Sequence, residues 1–191
     1  VLHELSKHKS LGVITVQCED EISGCATAIG ASFAGALAVT TTSGPGVCLK
    51  SEAMNLAVIT ELPLVVLNVQ RGGPSTGLPT KSEQTDLLQA LFGRNGESPM
   101  PVIAATSPTN CFDAAYAACK MALEHMTPVV LLTDGFVANG SGSWKLPNLD
   151  TYPEIKPQYV TPEMKDNYTP YKRNPENQVR YWAIPGQEGY T

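Results

Sequence analysis

The chain has 191 residues, 42% of them apolar and only 16% charged, and carries a formal net charge of −5. That length fits one domain of ordinary size with a tail, and charge so far below the usual quarter leaves uncharged surface suited to subunit contacts. With 13 Lys and Arg against 18 Asp and Glu it lacks the clustered cations that binding a phosphate backbone needs, so nucleic acid is not an expected partner; no apolar run reaches the ~18 residues of a membrane span.

Val1, Leu2 and Leu5 open the chain in a helical pattern that leaves His3 and His8 at the surface. Because Val1 already lies inside that pattern, the start of the natural chain is expected to precede it. Residues 11–16 read as a buried strand and 19–34, rich in alanine with apolar residues at helical intervals, as a helix. A strand over 36–42 follows, then the turn Ser43-Gly44-Pro45-Gly46 and a helix over 47–60. Residues 63–69 are six-sevenths apolar and β-branched, which selects a central strand. A loop over 71–83, a helix over 84–92, a strand over 102–105, a helix over 108–125 and a strand over 128–133 complete the alternation, with Ser107 before Pro108 as a helix start. Strands alternating with helices predict an α/β fold with an open parallel sheet covered on both faces.

Beyond Phe136 the character changes, since seven of the fifteen prolines and six of the seven tyrosines lie there. This divides the chain into an α/β domain over 1–137 and an extended Pro/Tyr-rich arm over 138–191, laid against protein because so much aromatic surface is unsuited to a free tail. Five cysteines without a C-x-x-C spacing signal neither a disulfide framework nor a metal or iron–sulfur ligand set. Buried thiols in a reducing, cytoplasmic setting are the expectation.

Three segments carry chemistry. Glu19-Asp20-Glu21 stands at a helix start, where any acid can serve as a cap; an acid turned inward, against the small residues Gly24, Ala26, Gly30 and Ala31 that follow, becomes a tuned carboxylate. Ser43-Gly44-Pro45-Gly46 forms either an anion-binding nest or a tight turn. Lys50 falls too late for a phosphate-loop lysine, which disfavours nucleoside triphosphates. Arg71, after the most apolar strand, either caps that strand, pairs with an acid across an interface, or clamps a substrate carboxylate through its planar fork. Gly73-Pro74-Ser75-Thr76-Gly77 matches the G-x-S-x-G elbow of serine hydrolases, but Ser75 lies about five residues past the strand and Pro79 follows where an elbow needs an immediate helix.

Together, Glu19-Asp20-Glu21-Ile22-Ser23, Thr42-Ser43-Gly44-Pro45-Gly46 and the run from Gln70 to Thr80, followed by Glu83-Gln84 and Asp86-Leu87, resemble one family. It is the alpha subunit of the thiamine-diphosphate-dependent 2-oxoacid:ferredoxin oxidoreductases, most closely the 2-oxoglutarate type. The resemblance implies that residues 1–137 are the pyrimidine-binding domain and that the arm leads to a truncated second domain. It implies that Glu21, picked out by its spacing to Gly30, Gly35 and Arg71, activates thiamine diphosphate, with Ser43, Gly44 and Gly46 beside the cofactor and Arg71 on the substrate carboxylate. A beta subunit then holds the diphosphate and its Mg²⁺, iron–sulfur clusters lie on other subunits, and a 2-oxoacid is converted with coenzyme A while electrons pass to ferredoxin. A hetero-oligomer is implied, and the fragment is expected to be inactive alone. The alternatives are a non-catalytic assembly subunit and a serine hydrolase using Ser75.

Overall fold

Residues 1–190 are described by the structure, a computed structural model. Four parallel strands, β1 (Ala38–Thr42), β2 (Leu64–Gln70), β3 (Val102–Ala104) and β4 (Pro128–Asp134), form one sheet in the order β1–β2–β4–β3. The register runs from Ala38 opposite Leu64 to Thr42 opposite Asn68, and from Leu64 opposite Pro128 to Gln70 opposite Asp134. Thr42, Asn68, Gln70 and Asp134 therefore end at one edge of the sheet.

The apolar runs of β2 and β4 are explained by burial on both faces; every residue of β4 is buried. Leu64, Val66, Val130 and Leu132 face helices α2 (Glu21–Phe33), α3 (Gly44–Leu49) and α4 (Ser51–Ile59). Val65, Val129 and Leu131 face α6 (Cys111–His125) on the other side. Each of these side chains contributes about 1.5–3 kcal/mol by leaving water. Short helices α1 (Leu2–Leu5), α5 (Leu87–Phe92) and α7 (Gly135–Asn139) complete the set. Ser107 starts the 108–125 segment as read, its hydroxyl accepting from the Asn110 N–H at 3.2 Å, and a 3-10 turn leads into α6. No helix among the described residues is long and apolar enough to cross a membrane.

Three sequence readings are corrected. Residues 11–16 form no strand: Lys9–Leu11 is a 3-10 turn, Gly12 takes φ 81°, and Leu11 and Ile14 are 77% and 88% exposed. Their apolar, β-branched composition suits a strand, but a strand needs a ladder partner, and none pairs with this stretch among the described residues. The 47–60 helix is two helices that meet at Lys50. The 84–92 helix starts only at Leu87, because Gln84 and Asp86 use their side chains across the sheet edge.

The segment after α7 has little regular structure but packs on the α/β layer. Trp182 is buried with Leu123, Met126 and Val179 and stacks on Tyr159 with ring centroids 5.5 Å apart. Tyr171 and Arg180 donate to the Ile59 and Thr60 carbonyls at 3.0 and 2.7 Å, and Arg173 pairs with Glu61. These contacts tie the arm to the end of α4.

Candidate active site

The three acids at the start of α2 have separate fates. Asp20 is the N-cap, its Oδ1 accepting from the Ser23 N–H at 2.8 Å, and that bond holds its carboxyl below the usual range. Glu19 accepts from the Ser23 hydroxyl at 3.1 Å. Glu21, the first residue of the helix, lies instead against Gly46: a Cβ built on Gly46 would stand 2.8 Å from Glu21 Cγ and 3.0 Å from its Oε1. The cap therefore occupies Asp20 and the Ser23 hydroxyl occupies Glu19, and the third acid turns toward the β1–α3 turn.

That turn presents little to an anion. Pro45 has no N–H, and the Gly46 and Val47 N–H groups both donate to the Ser43 carbonyl, at 2.9 and 3.2 Å. The Asp86 carboxylate stands beside Gly44, with Oδ2 2.8 Å from where a Cβ would be. An anion nest needs convergent free amides and no competing acid; Ser43, Gly44 and Gly46 form a tight turn whose bare Cα surface admits Glu21 on one side and Asp86 on the other. A Cβ on Gly46 would also overlap the Thr42 hydroxyl, so the close approach requires glycine.

Arg71 follows β2, half-buried, at the mouth of a loop closed on itself. Gly72 N–H donates to Lys81 O and Leu78 N–H to Gly72 O, both at 2.8 Å, while Gly73 N–H donates to Glu83 Oε2 at 2.7 Å. Gly77 holds φ 53°, and a Cβ there would overlap the Gly72 carbonyl, which fixes glycine at this position. Arg71 Nη2 donates to Thr76 O at 3.2 Å, its Nε is buried without a partner, and no carboxylate stands within ion-pair distance of it among the described residues. Its fork thus keeps unused donors. A cleft of ≈ 660 Å³ opens between Gly44, Pro45, Arg71, Pro74 and Asp86.

Ser75 lies on this loop, exposed and with φ 57°. His125 ends α6, just ahead of β4, so it belongs to the edge of the parallel sheet opposite the one that β2 reaches at Gln70. Ser75 therefore has no access to the His125 imidazole as a base.

Polar side chains line the edge where the strands end. Asn68 Nδ2 donates to Asp86 Oδ2 at 2.9 Å, and Gln70 accepts from the Asp86 N–H at 3.0 Å and donates to Thr133 O at 3.3 Å. Gln84 Nε2 donates to Asp134 Oδ2 at 2.6 Å, and Asp134 Oδ1 accepts the Phe136 and Val137 N–H groups. Burial pushes the Asp134 carboxyl up, but these three donors outweigh it and hold it below its ordinary value. Sequence reasoning missed two buried groups here. Asn68 is fully buried with Oδ1 unpartnered. Lys50 is buried and donates to the Thr40 hydroxyl; its sequence signal is its place in the stripe Val47, Lys50, Ala53, Met54, Ala57, all buried at helical spacing.

Comparison with known proteins finds relatives along almost the whole chain. "2-Oxoglutarate oxidoreductase subunit KorA" of Mycobacterium tuberculosis is 56% identical over 189 residues, 99% of this chain and 29% of the relative. "2-Oxoglutarate synthase subunit KorA" of Archaeoglobus fulgidus is 45% identical over 138 residues, 72% of this chain and 40% of the relative. A solved 2-oxoglutarate:ferredoxin oxidoreductase from Magnetococcus marinus, with 2-oxoglutarate, coenzyme A and succinyl-CoA bound, superposes with a TM-score of 0.86 at 34% identity, covering 97% of this chain and 32% of that one. The chain thus spans less than half the length of these relatives. The family model described as "Pyruvate flavodoxin/ferredoxin oxidoreductase, thiamine diP-bdg" matches residues 1–186, and the chain belongs to that family, within its thiamine-diphosphate-binding domain.

Proposed function

We propose that this chain is the pyrimidine-side half of a thiamine diphosphate site in the alpha subunit of a 2-oxoacid:ferredoxin oxidoreductase, of the type that oxidises 2-oxoglutarate to its acyl-CoA. The observation that carries the reading is Glu21 lying on the bare Cα of Gly46 while Asp20 caps the helix at the Ser23 N–H and Glu19 takes the Ser23 hydroxyl. The residues present fit the aminopyrimidine half of the cofactor: a carboxylate not spent as a cap lies on the bare Cα of Gly46, and buried Asn68, at the end of the neighbouring strand, keeps an unpartnered Oδ1. They do not fit the diphosphate half, since the turn has no convergent amides and Asp86 stands beside Gly44. That division supports a partner beta subunit holding the diphosphate and Mg²⁺, with iron–sulfur clusters and the route to ferredoxin on other subunits.

When bound, thiamine diphosphate supplies the electron sink for decarboxylating a 2-oxoacid. Glu21 would hold a proton at a ring nitrogen of the bound pyrimidine, and Gly46 lets that carboxylate approach without a side chain between. Arg71 offers its free donors to a substrate carboxylate, an anion that a planar guanidinium can grip at two points. Gly73, Pro74 and Ser75 of the closed loop line the cleft beside Arg71. The test is the full-length alpha subunit assembled with its beta partner, 2-oxoglutarate, coenzyme A and a viologen acceptor. Glu21→Gln lowers kcat on the order of 10²-fold or more. Full activity in that variant refutes the role of Glu21, and a variant that assembles poorly but turns over normally per complex assigns the residue to assembly instead.

A further inference from the structure

Arg71 shares its cleft with two carboxylates, Glu83 and Asp86, and pairs with neither. Glu83 Oε2 accepts from the Gly73 N–H at 2.7 Å, and Asp86 Oδ2 accepts from Asn68 Nδ2 at 2.9 Å. No ion pair forms at Arg71 among the described residues. What holds the guanidinium is a neutral group, since Nη2 donates to the Thr76 carbonyl at 3.2 Å. A carboxylate in that place would offset the charge and compete with an incoming anion. A carbonyl orients the fork and leaves its positive charge for another partner.

The direction of that carbonyl is set by the backbone. The loop is pinned at its base, where Gly72 and Leu78 bridge and the Lys81 N–H donates to the Leu78 carbonyl at 2.9 Å. Between these fixed points the chain turns back over Gly72, so closely that a Cβ on Gly77 would stand 2.0 Å from the Gly72 oxygen. Ser75 and Gly77 take positive φ, 57° and 53°. Glycine adopts that conformation freely, whereas serine is strained in it. Burial of the Ser75 side chain does not account for the strain, because the residue is exposed. Strain of this kind persists where the surroundings impose it, and it concentrates at ligand clamps. Its consequence at Ser75 lies one residue on, since φ at Ser75 sets the direction of the chain that carries the Thr76 carbonyl.

We propose that Ser75 is a positioning residue for Arg71: its left-handed backbone turns the Thr76 carbonyl onto Nη2, so that a neutral acceptor aims the guanidinium and its charge is kept for a substrate carboxylate. The role rests on the reading of Arg71 given above. It belongs to the backbone at position 75 and not to the hydroxyl, which separates it from a direct contact between Ser75 and substrate.

The experiment uses the full-length alpha–beta complex and varies residue 75 by what it allows the backbone. Ser75→Gly and Ser75→Asn lose the hydroxyl but accept positive φ; Ser75→Val loses it and resists positive φ. Viologen reduction gives kcat and KM for 2-oxoglutarate, and calorimetry on the complex stripped of cofactor gives thiamine diphosphate affinity. Ser75→Val raises KM about tenfold, the scale of one misaligned hydrogen bond to a charged group. Its kcat and cofactor affinity stay near the wild type, as for a loss of uniform substrate binding. Ser75→Gly and Ser75→Asn return KM toward the wild type. In Arg71→Met, which has a raised KM already, Ser75→Val adds little, because both changes act on one interaction. A KM as high in Ser75→Gly as in Ser75→Val overturns the backbone role, and so does a Ser75→Val effect that adds in full to Arg71→Met. An unchanged KM in Ser75→Val, with a raised KM in Arg71→Met, overturns the role of Ser75 and leaves that of Arg71 standing. An unchanged KM in Arg71→Met overturns both. If Ser75→Val does not assemble, Ser75→Ala against Ser75→Gly decides: a KM raised in alanine alone supports the role, and equal values overturn it.

Discussion

Gly46→Ala is the smallest change that separates Glu21 from its seat. The new methyl group would sit 2.8 Å from Glu21 Cγ, and ordinary contact begins near 3.4 Å. The glutamate must therefore withdraw by about 0.6 Å at Cγ, and by more at the carboxylate that swings on it; a misplacement of about 1 Å costs roughly 10²-fold in rate. Stability moves less. Alanine is favoured over glycine inside a helix by about 1 kcal/mol, while overpacking against Thr42 and Glu21 costs about 1–3 kcal/mol, so a net loss near 1 kcal/mol is expected. The assay is kcat for viologen reduction in the full-length alpha–beta complex, beside urea unfolding of the same protein. Thr42→Ala added to Gly46→Ala removes the clash with the Thr42 hydroxyl and restores stability, but leaves the methyl group against Glu21, so kcat stays low. A Gly46→Ala enzyme within twofold of wild-type kcat refutes the reasoning, because the Glu21 carboxylate would then not depend on the bare Cα it lies on.

Two further outcomes concern stability. Asp134 has its carboxyl held below its ordinary value of 3.8, so its contribution is present above that pH and is lost as pH falls through the lower folded value. Asp134→Asn should cost about 1 kcal/mol near neutrality and flatten the fall in stability on acidification, measured by urea unfolding at several pH values; an unchanged acid slope contradicts this. Trp182→Ala should cost about 3–5 kcal/mol in a single transition, since Trp182 packs on Leu123 and Met126 of the α/β layer. A separate low-temperature transition in calorimetry, with the main one unmoved, would show that the arm folds independently.

Much of the sheet was legible because β1, β2 and β4 are β-branched apolar runs, and burial on both faces demands that composition. Residues 11–16 have the same composition without a ladder to join, and composition cannot report a missing neighbour. The break between α3 and α4 was hidden because Ser51 to Thr60 continues the helical pattern of residues 44–49 without a glycine or proline. Glu21 was singled out by spacing, but spacing could not show that Glu19 and Asp20 are both spent on Ser23. Between nest and tight turn at Ser43–Gly46, what favours the tight turn is visible only in space: the Gly46 and Val47 amides are spent on the Ser43 carbonyl, and the Asp86 carboxylate, forty residues on, packs beside Gly44. Lys50 was passed over because lysines are ordinarily at the surface, although its place among Val47, Ala53, Met54 and Ala57 marked it as buried.

Thr42 and Gly46 are close in sequence, inside the crossover that leads from β1 through α3 and α4 to β2. In folding terms this is local structure: the loop closed to bring these two groups together is short, and closing a short loop loses little chain entropy. The receptor surface for Glu21 can form as soon as β1 and α3 meet, before the distant β3 and β4 join the sheet. Glu21 then docks by the arrival of α2 on that unit. The order implied is a seat made first and a carboxylate delivered to it, so slow or faulty packing of α2 would yield a chain with an intact sheet and a misplaced acid.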